Sequence, residues 1–226
     1  MFFAFIVFIV LGSTGKVAPY INPLLDRYGK HIRTALLVLS FASLGLLFFP
    51  GLIEINETGG AALELLWIIL FIPILAKVFN QPLAKKFIPW RKELGILMGM
   101  LALVHGLQYF AFGNLFQNLM DGAFWASSLS IPFIAVGMVA LILSTLLLVT
   151  SNLYSQKKLK KYWKTLHRLA YPLLILVIIH VILIQWSKSG QIPWEELVLP
   201  TIYFVLKIME WRGISFFQPT KTAKGE

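Results

Sequence analysis

The sequence is poor in charged residues and contains no cysteine. Charged residues make up 13% of the 226 residues and hydrophobic residues 58%, whereas a soluble domain carries about 25% charged residues. The mean hydropathy of +0.78 agrees with this bias. The absence of cysteine excludes disulfides, thiolate-bound metals and iron–sulfur clusters. The composition therefore predicts an all-α integral membrane protein, and its length leaves no room for a separate soluble catalytic domain.

Long apolar stretches define the predicted spans, because a helix that crosses a bilayer needs about 20 mostly apolar residues. Six stretches qualify, at 34–53, 62–80, 94–113, 130–150, 165–187 and 196–212. A seventh, within 2–21, has an apolar run that ends at Leu11, and it is either a further span or the core of a signal peptide. We expect a six- or seven-helix transmembrane bundle at 34–212. An N-terminal hydrophobic segment and cytoplasmic loop (1–33) would precede it, and a cytoplasmic tail (213–226) would follow.

Charge is distributed unevenly between the two sides of this predicted bundle. Of the 20 basic residues, only Lys188 falls on the side that carries Glu54, Glu57, Glu195 and Glu196. Cytoplasmic loops of membrane proteins concentrate Lys and Arg. The pattern predicts a multi-pass protein of the inner (plasma) membrane with a cytoplasmic C-terminus, and the net charge of +10 requires no nucleic-acid partner.

Three of the four histidines fall within predicted helices, where polar groups are costly and often functional. At a rise of about 1.5 Å per residue, His105 and His180 both lie roughly 12–14 Å below the outer edge. Two imidazoles at one level favour bis-histidine haem ligation within a helix bundle. His167 lies roughly 20 Å lower and about 140° away from His180 around a straight helix. Pro172, between them, should kink the helix and change that angle.

The residues alone leave other functions open. A haem-free transporter or structural subunit would use the same histidines as hydrogen bonds between helices. A retinal protein would use Lys207 in the last helix, although the helix of His105 offers no carboxylate counter-ion. The sequence contains no HExxH zinc motif, no GxSxG elbow and no motif that binds a flavin or a nicotinamide.

Four segments carry a family resemblance. The stretch "KKYWKTLHRLAYPLLILVIIH" resembles the pattern W-x-x-L-H-R-L-x-Y followed by a second histidine thirteen positions after the first. "LLVTSN", "RKELGILMGMLALVH" and "SIPFIAVG" resemble the flanking segments of the same family. Together they resemble the ferric-reductase-like transmembrane superfamily over about residues 34–212. Within it, the similarity is greatest to the MsrQ (YedZ-like) branch of haem-binding subunits.

This resemblance implies a b-type haem protein that carries electrons across the membrane. One haem is expected and a second is allowed; FMN is implied by the resemblance alone. The donor would be a separate cytoplasmic flavin reductase or another electron donor. The acceptor outside would be a small molecule or a periplasmic protein such as a methionine sulfoxide reductase. The haem-iron ligands implied are His105, His167 and His180, while Arg91 stands where other branches of the family carry a further ligand.

His167 lacks an evident partner in the sequence. It would hold a second, inner haem, or anchor the site where electrons enter from the cytoplasm. Four basic residues near it, Arg91, Lys92, Lys164 and Arg168, would then contact the propionates of that haem. The alternative interpretation of these four residues is the ordinary excess of positive charge on the cytoplasmic side.

Overall fold

The structure, a computed structural model, describes residues 2–14, 17–49, 52–112, 132–191 and 193–216, without the side chains of 111, 112, 187 and 188. Every regular element in these ranges is helical, which confirms the all-α class. The α-helices are α1 (Phe2–Gly12), α2 (Ala18–Ala42), α3 (Ile55–Lys77), α4 (Pro82–Phe87), α5 (Arg91–Phe112), α6 (Pro132–Val149), α7 (Leu153–Leu159), α8 (Lys161–His167), α9 (Ala170–Ser189) and α10 (Glu195–Trp211). Two 3-10 turns, Ser43–Leu47 and Ile88–Trp90, extend α2 and precede α5.

The lengths and composition of these helices match a protein that crosses the membrane several times. Among the described residues, five segments are long and apolar enough to do so: Ala18–Leu47, Ile55–Lys77, Pro82–Phe110, Pro132–Val149 and Lys161–Trp186. The last predicted span coincides with α10, which has 17 residues. Helix α1 has 11 residues, so it is too short to cross a bilayer by itself.

The N-terminal boundary differs from the prediction. We predicted a loop before residue 34, but α2 begins at Ala18 and continues through the predicted boundary at 33/34. The prediction took the apolar stretch 34–53 as the start of the next span. In the structure Pro23 lies within the helix, and Arg27 and Lys30 are exposed on its surface. The end of the predicted span 94–113 and the tail beyond 216 lie outside the described residues.

Four helices, α3, α5, α6 and α9, form the centre of the bundle. Helix α3 packs along α5, α9 packs along α6, and α5 contacts α6. Two glycines of α5 allow this last contact, since a Cβ on Gly99 would lie 3.0 Å from Leu148 and one on Gly106 would lie 2.4 Å from Leu141. A Cβ on Gly95, one turn before Gly99, would meet open space, so close packing occurs only at the later glycine of this pair.

The predicted kink near Pro172 appears as a break between α8 and α9. Proline cannot donate a hydrogen bond to the carbonyl four residues earlier, which belongs to Arg168. In the structure the Tyr171 N–H takes this place and donates to the Arg168 carbonyl at 3.0 Å. His167 ends α8 and His180 lies within α9, so the two histidines belong to separate helices.

Helix α10 joins the bundle through aromatic and ionic contacts. Tyr203 is fully buried against Trp67 and Phe71 of α3. Lys207, also buried, donates to Glu210 Oε2 at 2.6 Å, and the other carboxylate oxygen accepts from Lys77 at 2.8 Å. Lys207 is thus engaged in an ion pair, which argues against a retinal Schiff base at this residue.

Candidate functional site

A cavity of about 480 Å³ lies among the four central helices. Its volume falls in the range of ligand and cofactor pockets, about 300–1,000 Å³. Most of its lining is aliphatic, aromatic or glycine. Each helix lines it over three to four turns, at positions between 56 and 66, 98 and 110, 133 and 144, and 173 and 185. Both His105 and His180 line this cavity, so the structure brings the two histidines predicted to form a pair to one site.

The His105 ring is held by the first turn of α3. Its Nδ1 lies 2.8 Å from the carbonyl oxygen of Ile55, the first residue of that helix. A carbonyl can only accept, so Nδ1 carries the proton and donates. The ring also lies against Gly59, where a Cβ would come within 2.9 Å of its Cε1 and Nδ1.

The His180 ring is held in the same way by α6. Its Nδ1 donates to the carbonyl oxygen of Phe133 at 2.7 Å, and Phe133 is the second residue of α6. Gly137, four residues later, faces the ring, since a Cβ there would lie 2.7 Å from Cε1 and 2.9 Å from Nδ1. The two halves of the site therefore share one arrangement: a first-turn carbonyl, a glycine four residues on, and an imidazole from the neighbouring helix.

This arrangement prepares both imidazoles to bind a metal. With the proton on Nδ1, Nε2 of a neutral ring keeps its lone pair for a ligand in the cavity. Metal-binding histidines commonly donate their other ring nitrogen to a carbonyl or carboxylate, which fixes the tautomer and the ring orientation. The described residues contain no group of three or more His, Cys, Asp or Glu side chains that could hold an ion. Two imidazole nitrogens that line one apolar cavity would instead suit a metal whose remaining ligands come from a macrocycle, as in haem.

His167 is placed differently and does not line the cavity. Its ring stacks on Trp163 with centroids 4.1 Å apart. Its Nε2 lies 3.3 Å from Thr150 Oγ1. The Thr150 hydroxyl donates to the Leu146 carbonyl at 2.8 Å, so it accepts from His167 Nε2–H. In His105 and His180 the Nε2 atom keeps its lone pair for a ligand, whereas in His167 the Nε2 atom is hydrogen-bonded to Thr150. The role of His167 as a haem ligand stays a prediction.

The predicted propionate contacts also lie away from the cavity. Arg91 Nε donates to the carbonyl of Ile69 at 3.0 Å. Lys92 is half-buried, and Lys164 and Arg168 are exposed. None of these four basic residues lines the cavity. Their assignment to an inner haem remains a prediction.

The two glycines and two carbonyls that support the histidines were not predicted from the sequence. Each glycine follows its carbonyl by four positions, in "INETG" and in "FIAVG". The second of these stretches was noted only as part of a family motif. This four-residue spacing is the signal that could have identified each glycine and its carbonyl. Any residue type can supply a backbone carbonyl, however, so the acceptor is recognised only once the packing of the helices is known.

A family model and several curated proteins match this chain. The family model described as ferric reductase like transmembrane component matches residues 58–178. Similar curated proteins carry the name protein-methionine-sulfoxide reductase heme-binding subunit MsrQ. The one from Enterobacter sp. (strain 638) is 31% identical over 163 residues, 71% of this chain and 75% of that protein. The one from Rhizobium meliloti (strain 1021) is 32% identical over 125 residues, 55% of this chain and 54% of that protein.

A third relative of the same name, from Agrobacterium fabrum, is 28% identical over 159 residues, 70% of this chain and 66% of that protein. The chain thus spans between about half and two thirds of the Rhizobium and Agrobacterium proteins. No solved structure shows significant similarity to it.

Proposed function

Because the chain belongs to the ferric-reductase-like transmembrane family, we propose that it is a haem-binding electron-transfer subunit of the membrane, with one b-type haem held between His105 and His180. One observation carries this proposal: both rings in the cavity donate Nδ1–H to a first-turn carbonyl, which leaves both Nε2 atoms for axial ligation. The haem would be non-covalent, since the chain has no cysteine for a thioether bond.

The residues of the site fit such a group. Glycine at 59 and 137 gives each ring room to lie against a helix, and the mostly apolar lining of the cavity suits the ring of a macrocycle. Haem supplies a one-electron carrier, and the protein sets its potential through ligand orientation and the polarity of the surroundings. The FMN implied by the family resemblance has no candidate residues in this site.

The distribution of charge supports the proposed orientation, in which electrons pass from the cytoplasm to the outer side. The end of the cavity near Asn56 adjoins Glu54 and Glu57, and the opposite ends of α5, α6 and α9 adjoin the basic residues of α7 and α8. The positive-inside rule assigns the basic side to the cytoplasm. Electrons would then enter from a separate cytoplasmic flavin reductase or another donor. They would leave on the outer side of the inner membrane to a protein or a small acceptor.

A periplasmic methionine sulfoxide reductase is the acceptor we propose, because the relatives carry the name of a heme-binding subunit of a protein-methionine-sulfoxide reductase. On this proposal the C-terminus is cytoplasmic, and residues 34–212 form the haem domain between the N-terminal segment and the tail. His167, at the cytoplasmic end of the same bundle, would serve electron entry or an inner haem.

Spectroscopy of the purified full chain tests the proposal. Reconstituted with haem, it should show the visible absorption and low-spin EPR signals of a six-coordinate bis-histidine b haem. A reductase and a flavin, added with a reduced nicotinamide, should reduce it. Folded protein that gains no Soret band when supplied with haem would contradict haem binding and favour a haem-free transporter or structural subunit.

A further inference from the structure

The two ends of the cavity differ in polarity and in access to solvent. At one end the lining residues are Leu66, Met98, Ser144 and Leu173, all of which are buried. The hydroxyl of Ser144 is their only polar group, and its Oγ has no hydrogen-bond partner among the described residues. We refer to this as the closed end.

The other end, the open end, carries the remaining uncharged polar side chains of the lining. They are Asn56 in the first turn of α3, Tyr109 one turn beyond His105, and Gln185 five residues beyond His180. Asn56 is exposed, and Tyr109 and Gln185 are half-buried. A ligand with an apolar body and a polar edge would therefore place that edge at the open end.

Cations are scarce at the open end. No Lys or Arg occurs among the described residues that line the cavity. Lys188, three positions after Gln185, is the nearest basic residue along the chain. An anionic group at this end would thus be bound mainly by neutral hydrogen-bond donors and by water.

Building on the proposed function, we infer that the haem lies with its two propionates at the open end, bound by the uncharged side chains of Asn56, Tyr109 and Gln185. A carboxylate placed at the closed end would be buried among apolar side chains without a counter-ion, which is costly. At the open end the amide and phenol groups donate hydrogen bonds to it, and solvent completes its hydration.

The contact between Gln185 and Glu196 gives this arrangement a positioning residue. Gln185 Nε2 donates one hydrogen to Glu196 Oε1 at 2.9 Å, and its second N–H remains available for a propionate. Glu196 lies in the first turn of α10, a helix that does not line the cavity. Its carboxylate therefore orients the Gln185 amide and also places a negative charge near the propionate edge.

The test uses the haem-loaded full chain with two readouts, the midpoint potential and the propionate bending band in resonance Raman spectra. Gln185→Leu and Tyr109→Phe should each shift the propionate band. Glu196→Gln keeps an oxygen that can accept from Gln185 but removes the charge, so the potential should rise while haem content is unchanged. Ser144→Ala, at the closed end, is the matched control and should leave the band in place.

Several outcomes would overturn the inference. A band that responds to Ser144→Ala and not to Gln185→Leu would place the propionates at the closed end. If the band responds to Lys188→Gln alone, the propionates form an ion pair with Lys188 and are not bound by the uncharged side chains. An unchanged potential in Glu196→Gln would show that the Glu196 carboxylate does not place a negative charge near the propionates. These outcomes are distinct from a failure of the proposed function, in which the unaltered chain binds no haem at all.

Discussion

Gly137 lies against the imidazole of His180, so closely that a Cβ at position 137 would be 2.7 Å from Cε1 of the ring. Carbon atoms in contact normally lie about 3.5–4.0 Å apart, so even a methyl group would displace the ring. The missing side chain allows His180 to approach α6 and donate to the Phe133 carbonyl. Gly59 provides the same room for His105 beside the Ile55 carbonyl.

Alanine at these glycines should therefore weaken haem binding while the chain still folds. We expect Gly137→Ala and Gly59→Ala each to move one imidazole away from its carbonyl, because overpacking a tight contact costs about 1–3 kcal/mol. The measured results would be a lower haem content per protein and a partial change from a low-spin to a high-spin spectrum.

Gly60→Ala is the matched control for this prediction. Gly60 also lines the cavity, but a Cβ there would have no neighbour within 4 Å. This variant should retain its haem and its spectrum, and the exchange should favour the helix by up to about 1 kcal/mol. A Gly60→Ala spectrum that changes as much as that of Gly59→Ala would show that the close approach to His105 is not the cause.

The sequence predicted those parts of the site that depend on how deep a residue lies along its membrane-spanning helix. The counting of residues from predicted helix ends brought His105 and His180 to one level, and both line the same cavity. It was uninformative about His167, whose contacts with Thr150 and Trp163 depend on how α8 turns away from α9. A one-dimensional count cannot show the direction of a side chain after such a break.

The N-terminal region shows a second limit. The apolar stretch 34–53 predicted a span that begins at residue 34, yet α2 begins at Ala18 and contains Pro23. Helix α2 is attached there by ion pairs, Asp26 with Lys86 at 2.8 Å and Arg33 with Glu93 at 2.7 Å. Tertiary partners 60 positions away along the chain thus stabilise a helix whose local composition is unfavourable.

The ligand pairing can be tested by a double-mutant cycle. His105→Ala and His180→Ala should each remove the same haem signal, and the double variant should lose no more than either single one, because residues that act as a unit are not additive. His167→Ala should retain this signal. It should instead remove a second haem of lower affinity, or block reduction from the cytoplasmic side while dithionite still reduces the protein.

Haem stoichiometry and redox titration of the three single variants distinguish these results. If His167→Ala and His105→Ala abolish one spectral species while His180→Ala leaves it intact, the pairing across the cavity is wrong.

The Arg33–Glu93 pair should contribute more to stability than the Asp26–Lys86 pair. The Glu93 side chain is 5% exposed, and removing its partner leaves a buried charge, which costs about 3–5 kcal/mol when both partners are fully buried. Arg33 is 37% exposed, so we expect the cost of Arg33→Ala at or below the lower end of this range. The Asp26 side chain is 69% exposed, so Lys86→Ala should cost about 0–1 kcal/mol.

Thermal unfolding of both variants in the same detergent provides the comparison. Adding Glu93→Gln to Arg33→Ala should restore part of the lost stability, because no unpaired charge then remains. Equal losses for Arg33→Ala and Lys86→Ala would contradict the importance of burial at this pair.

The orientation of the chain can be measured directly, because the absence of cysteine allows single thiols to be introduced at chosen positions. Lys157, on α7, and Glu57, in the first turn of α3, are both exposed at opposite ends of the bundle. The positive-inside rule places Lys157 in the cytoplasm and Glu57 outside.

In intact spheroplasts, a maleimide that cannot cross the membrane should label Glu57→Cys and leave Lys157→Cys unlabelled. After the membrane is permeabilised, both variants should be labelled equally, which controls for the reactivity of each thiol. The reversed pattern would place the open end of the cavity in the cytoplasm, and electrons would then have to leave the haem on that side.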